Sequence, residues 1–126
     1  MKKFYKKKII LLDRFTDSTI AYQHYGMGIN LGLIKLINNY IIKNFKFDVT
    51  FLSIVNKENM KKRLKLRNKK NKYDFFKYSF YKRVQNGFLK ISNKKNKYII
   101  LDSNIMNINE TKNFLIKKIN TLIASK

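Results

Sequence analysis

The 126 residues hold 29 Lys+Arg against 7 Asp+Glu, a formal net charge of +22, with one histidine and no cysteine, proline or tryptophan. This allows at most one domain, small for an α/β nucleotide-binding fold; it excludes disulfides and thiolate-bound metals, and His24 alone argues against a zinc site. No apolar run approaches the ~20 residues of a membrane span, and the apolar run after the basic start stops at Asp13, short of the roughly 7–15 residues of a signal peptide, so a cytoplasmic location is expected.

A charge of this size ordinarily points to nucleic acid or an anionic membrane. Here Lys, Asn, Ile, Phe and Tyr are abundant along the whole chain, the bias an AT-rich gene produces, so much of the basicity is read as drift. Arginine is scarce, at Arg14, Arg63, Arg67 and Arg83. Only arginine makes bidentate, always-charged contacts to phosphate, which makes those four positions informative.

In chain order, Ile9-Ile10-Leu11-Leu12 reads as a strand buried on both faces, as in a parallel sheet. Ligands in open α/β sheets bind beyond the carboxyl ends of such strands. Asp13 and Arg14 stand there, and Ser18, Thr19, Tyr22 and Gln23 follow at spacings that put several on one helical face. An ordinary strand with a polar loop after it shows the same pattern. Asp17 or Ser18 is expected to cap a helix to about Tyr25, broken by Gly26-Met27-Gly28. Those glycines form no dinucleotide fingerprint, and no Gly-Lys-Ser/Thr phosphate loop stands among the 126 residues.

Apolar residues at helical spacing predict a well-buried helix over 30–44. A second strand is expected over 47–55, then a helix from Lys57 to about Leu66 capped by Asn56, and an exposed loop or short lid over 65–72. Phe76, Phe80, Val84 and Phe88 keep an i, i+4 stripe to near Ile91, read as core packing rather than as a base-stacking face. A turn near Lys94, a third strand over 98–102 and a last helix follow. Asn107 and Glu110 form the capping box of that helix, with Leu115, Ile119, Leu122 and Ile123 on its apolar face. Strands alternating with helices imply an α/β fold with a parallel sheet and flanking helices.

The motifs resemble those of thymidylate kinases. The Asp-Arg-Tyr/Phe, Ser and Ala-Tyr-Gln signature stands as Asp13-Arg14-Phe15, Ser18-Thr19 and Ala21-Tyr22-Gln23. The family's Gly-Arg-Gly is Gly26-Met27-Gly28, without its arginine, and its Lys-Pro-Asp-Leu-Thr is Lys46-Phe47-Asp48-Val49-Thr50, without its proline. Arg63 and Arg67 match the arginine-bearing lid (63–74), which closes at Asn71-Lys72-Tyr73-Asp74. Phe80-Tyr81-Lys82-Arg83-Val84 matches Phe-x-x-Arg-Val, and Ile100-Leu101-Asp102-Ser103 matches the closing strand.

The resemblance implies part of a phosphate-loop nucleoside monophosphate kinase fold, with residues 1–126 a partial domain whose first two strands are absent. It implies phosphoryl transfer from ATP to dTMP, with Mg²⁺, giving dTDP and ADP. Arg14 would hold the dTMP phosphate, with Asp13 beside the Mg²⁺ and phosphate region. Thr19, next to Ser18, would contact the thymine edge, Tyr22 would pack on the sugar and exclude a 2′-hydroxyl, and Gln23 would orient the nucleotide. Arg63 and Arg67 would close over the ATP phosphates, unless they are merely part of a solvated basic surface.

The missing segment carries the phosphate loop and, in the family, the strand lying between 9–12 and 49–55. Alone, the chain is therefore expected to be poorly stable, with open strand edges, and inactive. It is completed by a separate amino-terminal chain or left over from a truncated gene. A basic nucleic-acid-binding protein on the same scaffold and a kinase of another nucleoside monophosphate stand as alternatives. A homodimer through helix 30–44 is expected if that helix does not pack on the sheet.

Overall fold

A computed structural model describes residues 9–43, 45–69, 75–94 and 97–125. Helix α1 (Thr16–Thr19) runs directly into a π-helical segment (Ile20–Gly26), followed by α2 (Leu31–Ile42), β1 (Thr50–Ile54), α3 (Lys57–Lys65), α4 (Tyr78–Ser92), β2 (Tyr98–Asp102) and α5 (Ile108–Ala124). β1 and β2 pair in parallel from Thr50↔Tyr98 to Ile54↔Asp102. Parallel strands need a long crossover, and α3 and α4 provide it. The ladder is extended by Ser103 N–H donating to the Ile54 carbonyl, and by a 2.6 Å contact between the Ser53 and Ser103 hydroxyls.

The core lies between α4 and the π-helical segment. Ala21, Phe80, Val84 and Ile91 are buried together, with Tyr22, Tyr25, Tyr81 and Phe88 packed round them. The expected aromatic stripe is this core, although Phe76 at its start is largely exposed and stacks on Phe80 at 4.3 Å. Two glycines permit the close approach. A Cβ at Gly26 would stand 2.7 Å from Phe80, and one at Gly87 would stand 2.5 Å from the Tyr25 ring. Arg83 secures the same junction by donating from Nη2 (2.9 Å) and Nε (3.3 Å) to the Gly26 carbonyl. That carbonyl ends a helical segment and lacks an onward partner, so a cation there also complements the local dipole.

Several expectations are corrected. Residues 9–12 form no strand among the described residues; all four are exposed, Leu11 at 78%. A strand needs a partner, and the described sheet holds only β1 and β2, paired with each other and not with this run. The first helix begins at Thr16 after Phe15, with no side-chain cap, so Asp17 and Ser18 lie inside its first turn. Helix α2 is shorter than 30–44 and is not well buried: only Ile34 and Asn38 are covered, while Leu36 is 70% and Tyr40 87% exposed. Periodicity correctly shows an apolar face, but nothing among the described residues covers most of it. Asn38 is the anchor, donating to the Thr16 carbonyl at 3.2 Å.

The second strand spans only 50–54, because 45–49 turns back through Phe45 and Phe47, whose rings pack on Phe15. The fourth helix starts at Tyr78 and the last buries no residue, Ile123 being exposed. The expected caps at Asn56 and the Asn107–Glu110 capping box are present. Lys70 to Asp74, the end of the expected lid, lie outside the described residues. Among the described residues, much of the apolar exposure falls on 9–12 and α2.

Candidate functional site

A cleft of about 820 Å³ opens between the α1–π segment and α3. Its lining brings together Arg14, Ser18, Thr19, Tyr22, Gln23, Arg63 and Arg67, all of them expected site residues, with Val55, Met60, Leu64 and Tyr81 supplying apolar walls. Asp13 is exposed and does not line it.

Local winding explains why four residues of the first helix share one wall. At 100° per residue an α-helix would place Gln23 about 140° round from Ser18. Wound wholly as a π-helix, with i→i+5 bonding and roughly 4.4 residues per turn, the same interval would shrink to about 50°. The π segment over 20–26 thus brings Gln23 to the side that Ser18, Thr19 and Tyr22 already occupy. The sequence carried no sign of it, since α and π turns accept the same residues. Two residues beyond the segment's end, Gly28 has a φ of +81° that favours glycine, and His24 Nδ1 lies 2.9 Å from the Ile29 carbonyl.

Arg14 is the other unusual backbone position. Its φ is +64°, a left-handed conformation that costs a non-glycine residue of order 1–3 kcal/mol and that clusters at functional sites. The strained turn lays its guanidinium over the Tyr22 ring, 5.1 Å from the centroid, a cation–π contact. Tyr22 is itself held edge-on by Phe80 and Phe88 at 6.0 and 6.3 Å. The core therefore orients the ring, and the ring orients the arginine.

Gln23 Oε1 is buried and has no hydrogen-bond partner within the protein. An unpaired buried amide oxygen costs about 1–3 kcal/mol, and this one has no donor among the described residues. On the opposite wall, Arg63 lines the cleft but also gives Nη2 to the Ser103 carbonyl at 2.9 Å. Arg67 lines the cleft from just beyond the end of α3. The structure thus draws Arg63 and Arg67 out of the surrounding lysines and onto one surface.

A group the sequence reading passed over is the turn after β2. Asn104 donates from its backbone N and from Nδ2 to Asp102 Oδ1 (2.8 and 2.6 Å). Its own Oδ1 accepts from Asn56 N and Asn59 Nδ2 (2.9 and 3.1 Å). Short polar residues in a loop have no periodic signature, so only the three-dimensional contacts reveal it. Below the cleft, the Tyr98 phenol donates to the Asp17 carboxylate. Burial first, then that bond and the carboxylate's charge, push the phenol well above its ordinary range.

Among the described residues no three acidic or histidine side chains cluster to cage a metal, and no helix is long and apolar enough to cross a membrane. Two guanidinium groups facing a third across a cleft suit phosphate oxygens. The family model for thymidylate kinases matches residues 1–114. The chain belongs to the thymidylate kinase family.

The thymidylate kinase of Ehrlichia ruminantium (strain Gardel) is 36% identical over 124 residues, covering 94% of this chain and 58% of that protein. That of Ehrlichia canis is 43% identical over 83 residues, covering 66% and 39%. The crystal structure of thymidylate kinase from Ehrlichia chaffeensis superposes with a TM-score of 0.62 at 31% identity, over 96% of this chain and 55% of that one. The small parallel sheet with its flanking helices is thus part of the thymidylate kinase fold, and the chain spans little more than half the length of these relatives.

Proposed function

We propose that the cleft is the acceptor side of a thymidylate kinase site, which binds dTMP for phosphoryl transfer from ATP, giving dTDP and ADP on the way to dTTP. The observation that carries this reading is the convergence of Arg14, Ser18, Thr19, Tyr22 and Gln23 on one wall, with the unpartnered Gln23 oxygen among them. Arg14 binds the 5′-phosphate through charge-assisted bonds. Thr19 and Ser18 meet the thymine edge, Gln23 Oε1 accepts from the nucleotide, and Tyr22 lies against the sugar where a 2′-hydroxyl would be crowded. Arg63 and Arg67 face the phosphates of ATP from the other wall, where preorganised positive charge stabilises the transferring group.

Mg²⁺, when bound, neutralises phosphate charge. Such an ion is commonly held by one or two carboxylates plus phosphates; Asp13 adjoins Arg14 in the chain but stands outside the cleft lining, so it would bear on the ion only indirectly. The backbone cradle and lysine of a phosphate loop would come from polypeptide outside these 126 residues. The exposed face of α2 is the dimer face, and the protein works in the cytoplasm, where its ATP is found.

The test is calorimetric titration with dTMP. The wild-type chain binds, and Arg14→Ala weakens binding at least about tenfold, as loss of a charged hydrogen bond worth roughly 1.5–3 kcal/mol requires. Absence of dTMP binding overturns the reading. Kinase activity is absent from the chain alone and restored by adding the amino-terminal part of the Ehrlichia ruminantium relative; dTMP-dependent ATP consumption by the chain alone refutes the need for a second polypeptide.

A further inference from the structure

We propose that Asn104 is a positioning residue: it anchors the amino end of α3, and through that helix it aims Arg63 and Arg67 over the cleft. The proposal rests on the reading of these arginines as phosphate-facing groups. Helix α3 buries none of its nine residues; only Asn59, Met60 and Leu64 are partly covered. Packing alone therefore holds it weakly. Its amino end is fixed instead by one oxygen, Asn104 Oδ1, which accepts from the Asn56 backbone and from the Asn59 side chain.

That oxygen is itself immobilised. Both nitrogens of Asn104 donate to Asp102 Oδ1, and Asp102 is the last residue of β2, paired with Ile54. The anchor is thus tied to the sheet. One turn before the end of the helix, Arg63 Nη2 reaches back to the Ser103 carbonyl beside the same anchor. A rigid strand end, a two-residue turn and a helix cap so make one hydrogen-bonded unit, which Arg63 joins through Ser103 while Arg67 stands beyond the far end of the arm.

Leverage makes the anchor matter. At 1.5 Å per residue, the end of α3 at Lys65 lies about 14 Å from Asn56. A 10° swing about the anchored end then moves it about 2 Å, while displacements near 1 Å already cost catalysis dearly. Asn104→Ala removes the anchor. Asn104→Ser retains a short side-chain oxygen of the kind that replaces asparagine in such turns.

The chain has no cysteine, so spin labels can be placed at Lys65→Cys on α3 and Lys82→Cys on α4, both exposed. In the otherwise wild-type chain their distance distribution is narrow. Asn104→Ala broadens it and, once the amino-terminal part of the Ehrlichia ruminantium relative is added, weakens ATP binding about tenfold while leaving dTMP affinity within twofold, since no dTMP-facing residue touches the anchor. Asn104→Ser recovers most of both effects. An unchanged distance distribution and ATP affinity in Asn104→Ala overturns the proposal, as does equal loss of ATP and dTMP binding with no recovery in Asn104→Ser, which marks general unfolding. If the wild-type chain binds neither nucleotide, the functional reading fails, and the distance distributions alone still decide whether Asn104 orients α3.

Discussion

The two sides of the molecule are finished to different degrees. Where α4 meets the π segment, Ala21, Phe80 and Val84 are buried, glycines let the backbones close up, and Arg83 seals the junction. On the sheet side, two strands pair with each other, the apolar residues 9–12 stand exposed, and α5 buries nothing. The side that orients Tyr22 and Gln23 is complete within these residues. The side that would place a phosphate loop is not. The wall carrying Arg14, Tyr22 and Gln23 is therefore preformed within these residues, and under the proposed function that wall is the acceptor side, whereas the ATP side would need additional strands.

Substitutions can break or sharpen that contrast. Phe80→Ala empties the centre of the finished side and should cost about 3–5 kcal/mol, leaving little folded chain by circular dichroism in urea titration. Gly87→Ala drives a methyl into the Tyr25 ring and should cost about 1–3 kcal/mol, seen as a lower urea midpoint at unchanged slope. Between the two sides, Tyr98 of β2 donates to Asp17 of α1. Because its folded-state value is raised, the contribution is complete below the unfolded value of about 10 and is lost as pH rises beyond it. The wild-type urea midpoint should fall between pH 9 and pH 11 (values chosen to bracket about 10) more than that of Tyr98→Phe. On the unfinished side, Leu36→Ser should change monomer stability by no more than about 0.5 kcal/mol while reducing self-association in sedimentation. A large loss of stability there would mean that α2 is covered.

What could be read from the residues follows the same division. Asn56, Asn107 and Glu110 act on their own helices, so the starts of α3 and α5 were legible as local chemistry. Strand 98–102 was legible because its apolar run is bounded by turns. Residues 9–12 look like a strand, yet a strand exists only with a partner, and partnership is not encoded in four residues. The stripe on α2 reports which face is apolar and is silent on whether anything covers it. Seven expected site residues do line one cleft; the π winding that brings Gln23 round, the strained turn at Arg14 and the Asn104 anchor depend on contacts between distant parts of the chain.

The uncovered apolar faces carry a consequence for the amount of this protein that a cell can keep. Whatever covers them binds the folded state and not the unfolded one, so it shifts the folding equilibrium in proportion to its own concentration. Copies made in excess spend more time open, where proteases act on them. Where a second polypeptide supplies that cover, folded chain should accumulate only up to that polypeptide's level, with no dedicated regulator setting the ratio.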